Sequence, residues 1–304
     1  MVAVSLLAGP IDAQSPQTTA PLQAFPAFEI QVLLDRAGFS PGEIDGKRGS
    51  NTERALAAYA RVHPQPTGTS DDAILRGGAR GADATPLLVS YTITPEDAAG
   101  PFRPIPDDMM EKAKLPALGY SSLAEMLGER FHVSPTLLAA LNPGVSLQAG
   151  ATIQVPNVET APPASPPAAA KVVVSRSMSS MTALDAQENV LFYAPTTTGS
   201  EHDPLPIGTW AVTAVLHNPV FNYNPDLFWD ANPSQMKARL PAGPNGPVGT
   251  IWIDLTKEHY GLHGSPEPSQ IGHTSSHGCV RLTNWDAAKL AAMVKKGTPV
   301  IFVE

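Results

Sequence analysis

His259-Tyr-Gly-Leu-His263-Gly264-Ser-Pro-Glu-Pro-Ser-Gln-Ile-Gly-His273-Thr-Ser-Ser276-His277-Gly278-Cys279-Val-Arg281-Leu-Thr-Asn284 gathers four of the chain's eight histidines and its only cysteine. A thiol has an ordinary pKa of about 8.5 and is mostly protonated at neutral pH. A neighbouring imidazole can take that proton, leave a strong nucleophile, and later return the proton to a leaving amine. Gly278 allows a tight turn before the cysteine, so that adjacent backbone N–H groups can face a developing oxyanion. These few residues supply every part of an acyl-transfer site. Three other readings compete. A lone cysteine is often a small buried apolar group, but here Gly, His and Arg surround it. A zinc site is possible by residue type, but the spacing matches no compact finger and carboxylates are sparse. The histidines could also line a surface loop, against which the glycines at 261, 264, 272 and 278 argue for shaped backbone.

Outward from this stretch, residues 171–304 read as β structure. Val172–Val174, Met181–Leu184, Asn189–Tyr193, Gly208–Val215, Gly249–Leu255 and Pro299–Val303 are apolar runs bounded by turn residues. One helix stands out, with Asn284 as its cap, Leu290, Met293 and Val294 on one face, and Gly297 as its stop. Residues 217–247 form a Pro- and Asn-rich segment carrying Phe221, Tyr223, Phe228 and Trp229. These aromatics either pack on a substrate or close the β core.

The motif of His263-Gly264 followed by Ser276-His277-Gly278-Cys279-Val280-Arg281-Leu282-x-Asn284 resembles the L,D-transpeptidase catalytic domain. Pro206–Trp210 and Pro244–Ile253 are similar to the same family, and the likeness extends over residues 171–304. It implies that Cys279 attacks the carbonyl between diaminopimelate and the terminal D-alanine of a tetrapeptide donor. It implies His263 as general base and later acid, with its second ring nitrogen held by a backbone carbonyl near Gly264. Backbone N–H groups of Gly278 and Cys279 would form the oxyanion hole. Ser276 and Gly264 would support the loop. His277 would brace the cysteine loop, with proton transfer as its alternative role. Arg281 would either bind a substrate carboxylate and raise the local potential, or form a structural ion pair. Tyr223, Trp229 and Asn284 are candidate substrate contacts. The family uses neither metal nor organic cofactor. Peptidoglycan is the implied partner, with a second stem peptide or another amine as acceptor. An L,D-carboxypeptidase and a non-catalytic peptidoglycan-binding protein are the alternatives.

The first half of the chain divides further. Residues 27–84 read as a small three-helix module, with Ile30, Leu33, Leu34 and Ala37 at helical spacing and Gly38 as a stop. Ser50-Asn51-Thr52-Glu53 has the form of a capping box, and Ser70-Asp71-Asp72 caps a third helix. Gly38, Gly42, Ile44, Asp45, Gly46, Gly49, Thr52, Ala55 and Leu56 together resemble the peptidoglycan-binding domain of bacterial wall hydrolases. Residues 87–158 read as strand (Tyr91–Thr94), two capped helices (Ser122–Phe131 and Ser134–Leu141) and strand (Ile153–Pro156). That order is similar to a LysM domain, interrupted by an insertion from Gly100 to about Tyr120. Residues 159–170, rich in Pro and Ala, read as an extended linker. The expected fold is therefore multidomain: a mostly β catalytic domain with one packed helix, preceded by a three-helix module and a LysM-like αβ module.

Composition sets outer limits. With 304 residues and 42% hydrophobic residues the chain can bury sizeable cores. Its net charge of -8 is spread without a basic run, so nucleic acid is a poor partner. One cysteine excludes an internal disulfide. Residues 1–26 read either as the remnant of a signal peptide or as a disordered tail. No run of about 20 apolar residues suggests a transmembrane helix. An exported protein, periplasmic or associated with the wall, follows from the family likeness.

Overall fold

The computed structural model describes residues 24–79 and 85–304. Of the reading of residues 1–26 as a leader or tail, residues 1–23 fall outside them, as does the end of the helical module at 84, while Phe25 packs against the core of the middle module.

The helical module comprises α1 (Phe28–Arg36), α2 (Ser50–Val62) and α3 (Asp71–Ala79). Its glycine-rich loop is organised around the Gln31 side chain. The Gln31 amide nitrogen donates to Asp45 Oδ1 (2.9 Å) and the Lys47 carbonyl (3.1 Å), while its oxygen accepts from the Gly46 N–H (2.8 Å). Gly38, Gly42 and Gly46 all have positive φ, a conformation that glycine adopts without strain. The capping box expected at Ser50 does not form. Gly49 is the N-cap, α2 begins one residue early, and Glu53 is drawn off by Arg48.

The middle module contains β1 (Leu88–Thr92), α4 (Pro95–Ala98), α5 (Met109–Lys112), α6 (Leu123–Arg130), α7 (Pro135–Leu141) and β2 (Thr152–Pro156). β1 starts three residues before the expected strand and pairs antiparallel with β2. The shift arises because Thr94 is taken as a helix cap: its side chain accepts from the Asp97 N–H while Asp97 bonds back to the Thr94 N–H. Ser122 and Ser134 cap α6 and α7 as read from sequence.

The largest unit has β3 (Lys171–Ser175), β4 (Ser180–Leu184), β5 (Val190–Pro195), β6 (Gly208–His217), β7 (Phe221–Tyr223), β8 (Ala238–Leu240), β9 (Ile251–Leu255), β10 (Gly261–His263), β11 (Val280–Arg281), α8 (Asn284–Met293) and β12 (Pro299–Val303). Eight strands form one sheet in the order β11-β10-β9-β6-β12-β3-β4-β5. The β10–β11 and β12–β3 pairs are parallel, and the other pairs are antiparallel. α8 closes the core with Ala287, Leu290 and Met293 against Phe192, Ile253 and Phe302. Each fully buried large side chain contributes about 1.5–3 kcal/mol. Thr283, not Asn284, caps α8: its side chain accepts from the Asp286 N–H at 3.1 Å. The Asn284 amide is committed elsewhere, as described below. β7 and β8 form a separate hairpin.

The three units are docked to one another. Ser40 and Gly38 of the helical module exchange backbone hydrogen bonds with Tyr193 of β5, at 2.8 and 2.9 Å. Ile44 bonds the 132–134 backbone of the middle module. The His132 ring stacks on Trp285 of α8, with centroids 5.1 Å apart, and its Nδ1 lies 2.8 Å from Asp35. Residues 159–168 have no regular secondary structure, and Glu159 pairs with Lys289 of α8. Ala169 is already buried in the β core, bonded to the Met293 carbonyl. Among the described residues no helix is long and apolar enough to cross a membrane.

Candidate active site

β10 and β11 decide the site. Their parallel register places Leu262 opposite Val280 and His263 opposite Arg281. Side chains two apart on a strand share a face, and directly paired residues share a face. His263, Arg281 and Cys279 therefore lie on one side of the sheet edge, Cys279 diagonal to His263 and just before β11 begins. β9 adds Trp252, which pairs with His263 and stacks on its ring (centroids 5.4 Å, 21° between planes). All four line a cavity of about 660 Å³, within the size range of small-molecule and cofactor sites.

His263 is buried, and its Nδ1 lies 2.7 Å from the Gly264 carbonyl oxygen. A carbonyl can only accept, so Nδ1 carries the proton and Nε2 is left free to take one. Burial, then the Arg281 charge, pushes the imidazole down to about 4, against the pull of the Gly264 hydrogen bond. The Cys279 thiol is pushed up, mainly by burial, with the Gly261 N–H and Arg281 opposing. Its sulfur donates towards the His259 carbonyl at 3.6 Å. Both shifts favour the neutral forms, a thiol and an uncharged imidazole.

The loop between these strands is held from several sides. Gly278 has φ +103°, and a Cβ there would come within 2.7 Å of the Tyr260 ring. The Ser276 hydroxyl donates to the Cys279 carbonyl at 2.6 Å. The Ser276 N–H donates to the Thr198 carbonyl, and Thr197 exchanges both backbone hydrogen bonds with Arg281. From the helical module, Asn51 donates to the Ile271 carbonyl (2.9 Å) and Arg54 to the Gly272 carbonyl (3.3 Å).

Asn284 is buried and is not among the cavity-lining residues, so the structure places this candidate substrate contact under the site. Its Oδ1 accepts from the Thr250 N–H (3.1 Å), and its Nδ2 donates to Glu129 (2.8 Å) and the Pro244 carbonyl (3.2 Å). A Cβ on Gly264 would fall 2.2 Å from that Oδ1. Asn284 thus packs against the peptide whose carbonyl holds His263. His277 lies in the cavity wall and pairs with Asp230 at 2.8 Å, in the segment between β7 and β8. Arg281 lines the cavity and no ion pair engages it among the described residues. Tyr223 also lines the cavity, with its hydroxyl on Gln235. Trp229 does not: it is 60% exposed and stacks on His202. His273 is exposed and outside this cavity.

Sequence reasoning missed Tyr260, Asp203, Asp107 and Met109 as cavity residues. The last two come from the middle module's insertion. That insertion is seated on the β7–β8 hairpin through Leu118, whose backbone bonds Ala242 and Asn245, and through Asp108, which accepts from Gln235 at 3.1 Å. No sequence motif announces this packing.

The sheet edge thus brings a cysteine and a singly tethered histidine into one cavity. Residues 169–302 match the YkuD family model, the L,D-transpeptidase catalytic domain. The putative L,D-transpeptidase YkuD of Bacillus licheniformis is 49% identical over 57 residues, 19% of this chain and 34% of that protein. Its counterpart in Bacillus subtilis is 34% identical over 109 residues, 33% of this chain and 63% of that protein. The matches thus span less than two thirds of these relatives' length. Among solved structures, L,D-transpeptidase 3 from Mycobacterium tuberculosis, in complex with a faropenem-derived adduct, aligns with a TM-score of 0.36 and 19% identity, over 52% of this chain and 76% of that one.

Proposed function

We propose that this chain is an exported L,D-transpeptidase that works on peptidoglycan stem peptides through a cysteine acyl-enzyme. The observation that carries the reading is Cys279 and His263 on one face of paired strands, in a cavity of about 660 Å³, with the His263 Nδ1 proton fixed by Gly264. Cys279 attacks the carbonyl that follows diaminopimelate in a tetrapeptide donor. Its proton passes to His263 Nε2 and then to the leaving amine of D-alanine, which departs and leaves a thioester. The turn at Gly278 directs backbone N–H groups at the oxyanion. Arg281 receives a donor carboxylate as a charge-assisted hydrogen bond. An amine then attacks the thioester, gives a proton back through His263 to the sulfur, and leaves with the acyl group. A stem-peptide acceptor yields a 3→3 cross-link in cell-wall biogenesis.

The two preceding modules hold the enzyme at the wall, which places the protein in the periplasm or wall. Their support is the glycine-rich loop of residues 38–56 and, in residues 87–158, the paired strands β1 and β2 that flank the capped helices α6 and α7. The test is digestion of sacculi after incubation with the enzyme, followed by mass identification of muropeptides. Dimers joined 3→3, or amine-exchanged tetrapeptides, are expected. Tripeptides alone would establish water as acceptor and an L,D-carboxypeptidase; unchanged muropeptides would overturn an enzymatic role.

A further inference from the structure

The catalytic cavity holds a carboxylate that none of the steps above uses. Asp203 lines the cavity with Cys279, His263 and Tyr260. Its Oδ2 atom is buried and meets no hydrogen-bond partner among the described residues. A carboxyl oxygen shielded from water and left unpaired is costly, and such groups are rare in folded proteins. No lysine, arginine or histidine forms an ion pair with it among the described residues.

The backbone that carries this side chain is held in place. Asp203 closes a tight turn in which its N–H donates to Ser200 Oγ (3.1 Å) and its carbonyl accepts from the Ser200 N–H (3.0 Å). Gly199 makes that turn possible, since a Cβ there would fall 2.1 Å from the Asp203 carbonyl oxygen. The same segment is stitched to the nucleophile's loop: Gly199 bridges Ser276, and Thr197 pairs with Arg281. Asp203 and Cys279 also act on a common neighbour. The Tyr260 phenol is pushed up by burial first and then by the charges of Cys279 and Asp203. A fixed backbone turn therefore sets Asp203, whose carboxyl carries a buried and unpaired oxygen, in the wall of the chamber that holds Cys279.

We infer that Asp203 receives the ammonium group of the acceptor and selects a charged amine over other nucleophiles. This inference rests on the proposed transpeptidase reading and names the acceptor side of that site. A primary amine of an acceptor peptide carries a proton at neutral pH, as a lysine amine does, with a pKa of about 10.4. Asp203 pairs with that cation, as Arg281 pairs with a carboxylate on the donor. The ammonium loses one proton to solvent as it leaves Asp203, and the free amine attacks the thioester carbon. The carbon–sulfur bond breaks, and the second proton travels by His263 to the sulfur. The products are an amide, the restored thiol and one released proton.

Asp203→Asn removes the charge and keeps the shape. Three readouts separate the possibilities: formation of the acyl-enzyme by intact mass with a tetrapeptide donor, the acceptor KM for a diaminopimelate-containing tetrapeptide, and the rate with hydroxylamine, which is uncharged at pH 8. The expected result is an acceptor KM raised about tenfold or more, with unchanged acyl-enzyme formation and unchanged hydroxylamine transfer. Asp203→Glu should restore part of the acceptor affinity, and added salt should narrow the difference between wild type and Asp203→Asn. Equal losses with the charged peptide and with hydroxylamine, or an unaltered acceptor KM, would overturn the assignment. Absence of any acyl-enzyme in the wild type would instead overturn the proposed function itself.

Discussion

Replacing Glu129 with Gln should flatten the pH dependence of the protein's stability. Glu129 lies on α6, buried, with its two carboxyl oxygens 2.8 and 3.1 Å from Asn284 Nδ2. Burial raises its carboxyl from 4.5 to about 8, with Glu125 adding to the shift, while hydrogen bonds from Asn284 and Tyr120 oppose it. Folded Glu129 thus keeps a proton that the unfolded chain gives up above about pH 4.5. A group that binds more protons when folded contributes stability that is fully present at low pH and lost as pH rises through its folded pKa. The loss therefore runs from about pH 4.5 to pH 8. At 1.36 kcal/mol per unit, the gap sets a ceiling of about 5 kcal/mol. Water entry and local relaxation lower such penalties, which leaves about 2–3 kcal/mol. Glutamine has no charge to bury and keeps an oxygen that accepts from Asn284 Nδ2. Glu129→Gln should be close to wild type at pH 5 and more stable than wild type at pH 8. Glu43, raised to about 7, and Asp286, raised to about 6, slope the same way in both proteins, so the difference isolates Glu129. Urea unfolding at pH 5 and pH 8, followed by tryptophan fluorescence, reads it directly. Parallel slopes for the two proteins would refute the reasoning.

Three further outcomes are expected. Cys279→Ala should abolish turnover, because no second thiol exists, and leave the unfolding free energy within about 1 kcal/mol of wild type; turnover by the folded variant would exclude the cysteine mechanism. His263→Ala should slow alkylation of Cys279 by iodoacetamide at pH 7 well below the rate in His273→Ala, since His273 is exposed and outside the cavity; equal rates would mean that another group takes the proton. A carbapenem should add one drug mass to the protein in intact-mass measurement, and a typical penicillin far less, because an activated sulfur beside N–H donors can open a strained lactam; an enzyme that turns over substrate but forms no adduct would remove that expectation.

Much of the β unit was legible because its central strands are long enough to show a pattern. β3, β4, β5, β6, β9 and β12 each carry a run of five or more residues. β10 and β11, with three and two residues, are too short for any periodicity to register, yet their pairing brings His263 level with Arg281. The motif revealed the chemistry of the site but not the geometry that makes it. Helix caps were harder. Asn284 and Ser50 are good capping residues by type, but one is bonded to a distant backbone and a neighbouring module, and the other is displaced by Gly49. Long-range hydrogen bonds overrode local preference in the first case. The insertion from Gly100 to Tyr120 gave no signal of its destination, because the fit of Leu118 between Tyr223 and Leu240 is a matter of shape.

The docking of the modules bears directly on the chemistry. The general base proposed at His263 depends on one tautomer, and that tautomer depends on the Gly264 carbonyl. Asn284 packs against Gly264 so closely that only glycine fits, and Asn284 is itself held by Glu129 from the middle module. On the other flank, Asn51 and Arg54 of α2 hold the backbone at Ile271 and Gly272, within the loop that joins His263 to Cys279. Two modules without a nucleophile of their own thus grip the two sides of the catalytic loop. Each contact is modest, about 1 kcal/mol for a neutral hydrogen bond and somewhat more for one to a charged group. Their effect on a reaction is larger than on stability, because a displacement of about 1 Å at reacting groups can cost a hundredfold in rate. Positioning of the imidazole and the thiol is therefore a property of the three docked units together, and only the proposed reacting atoms belong to the β unit alone.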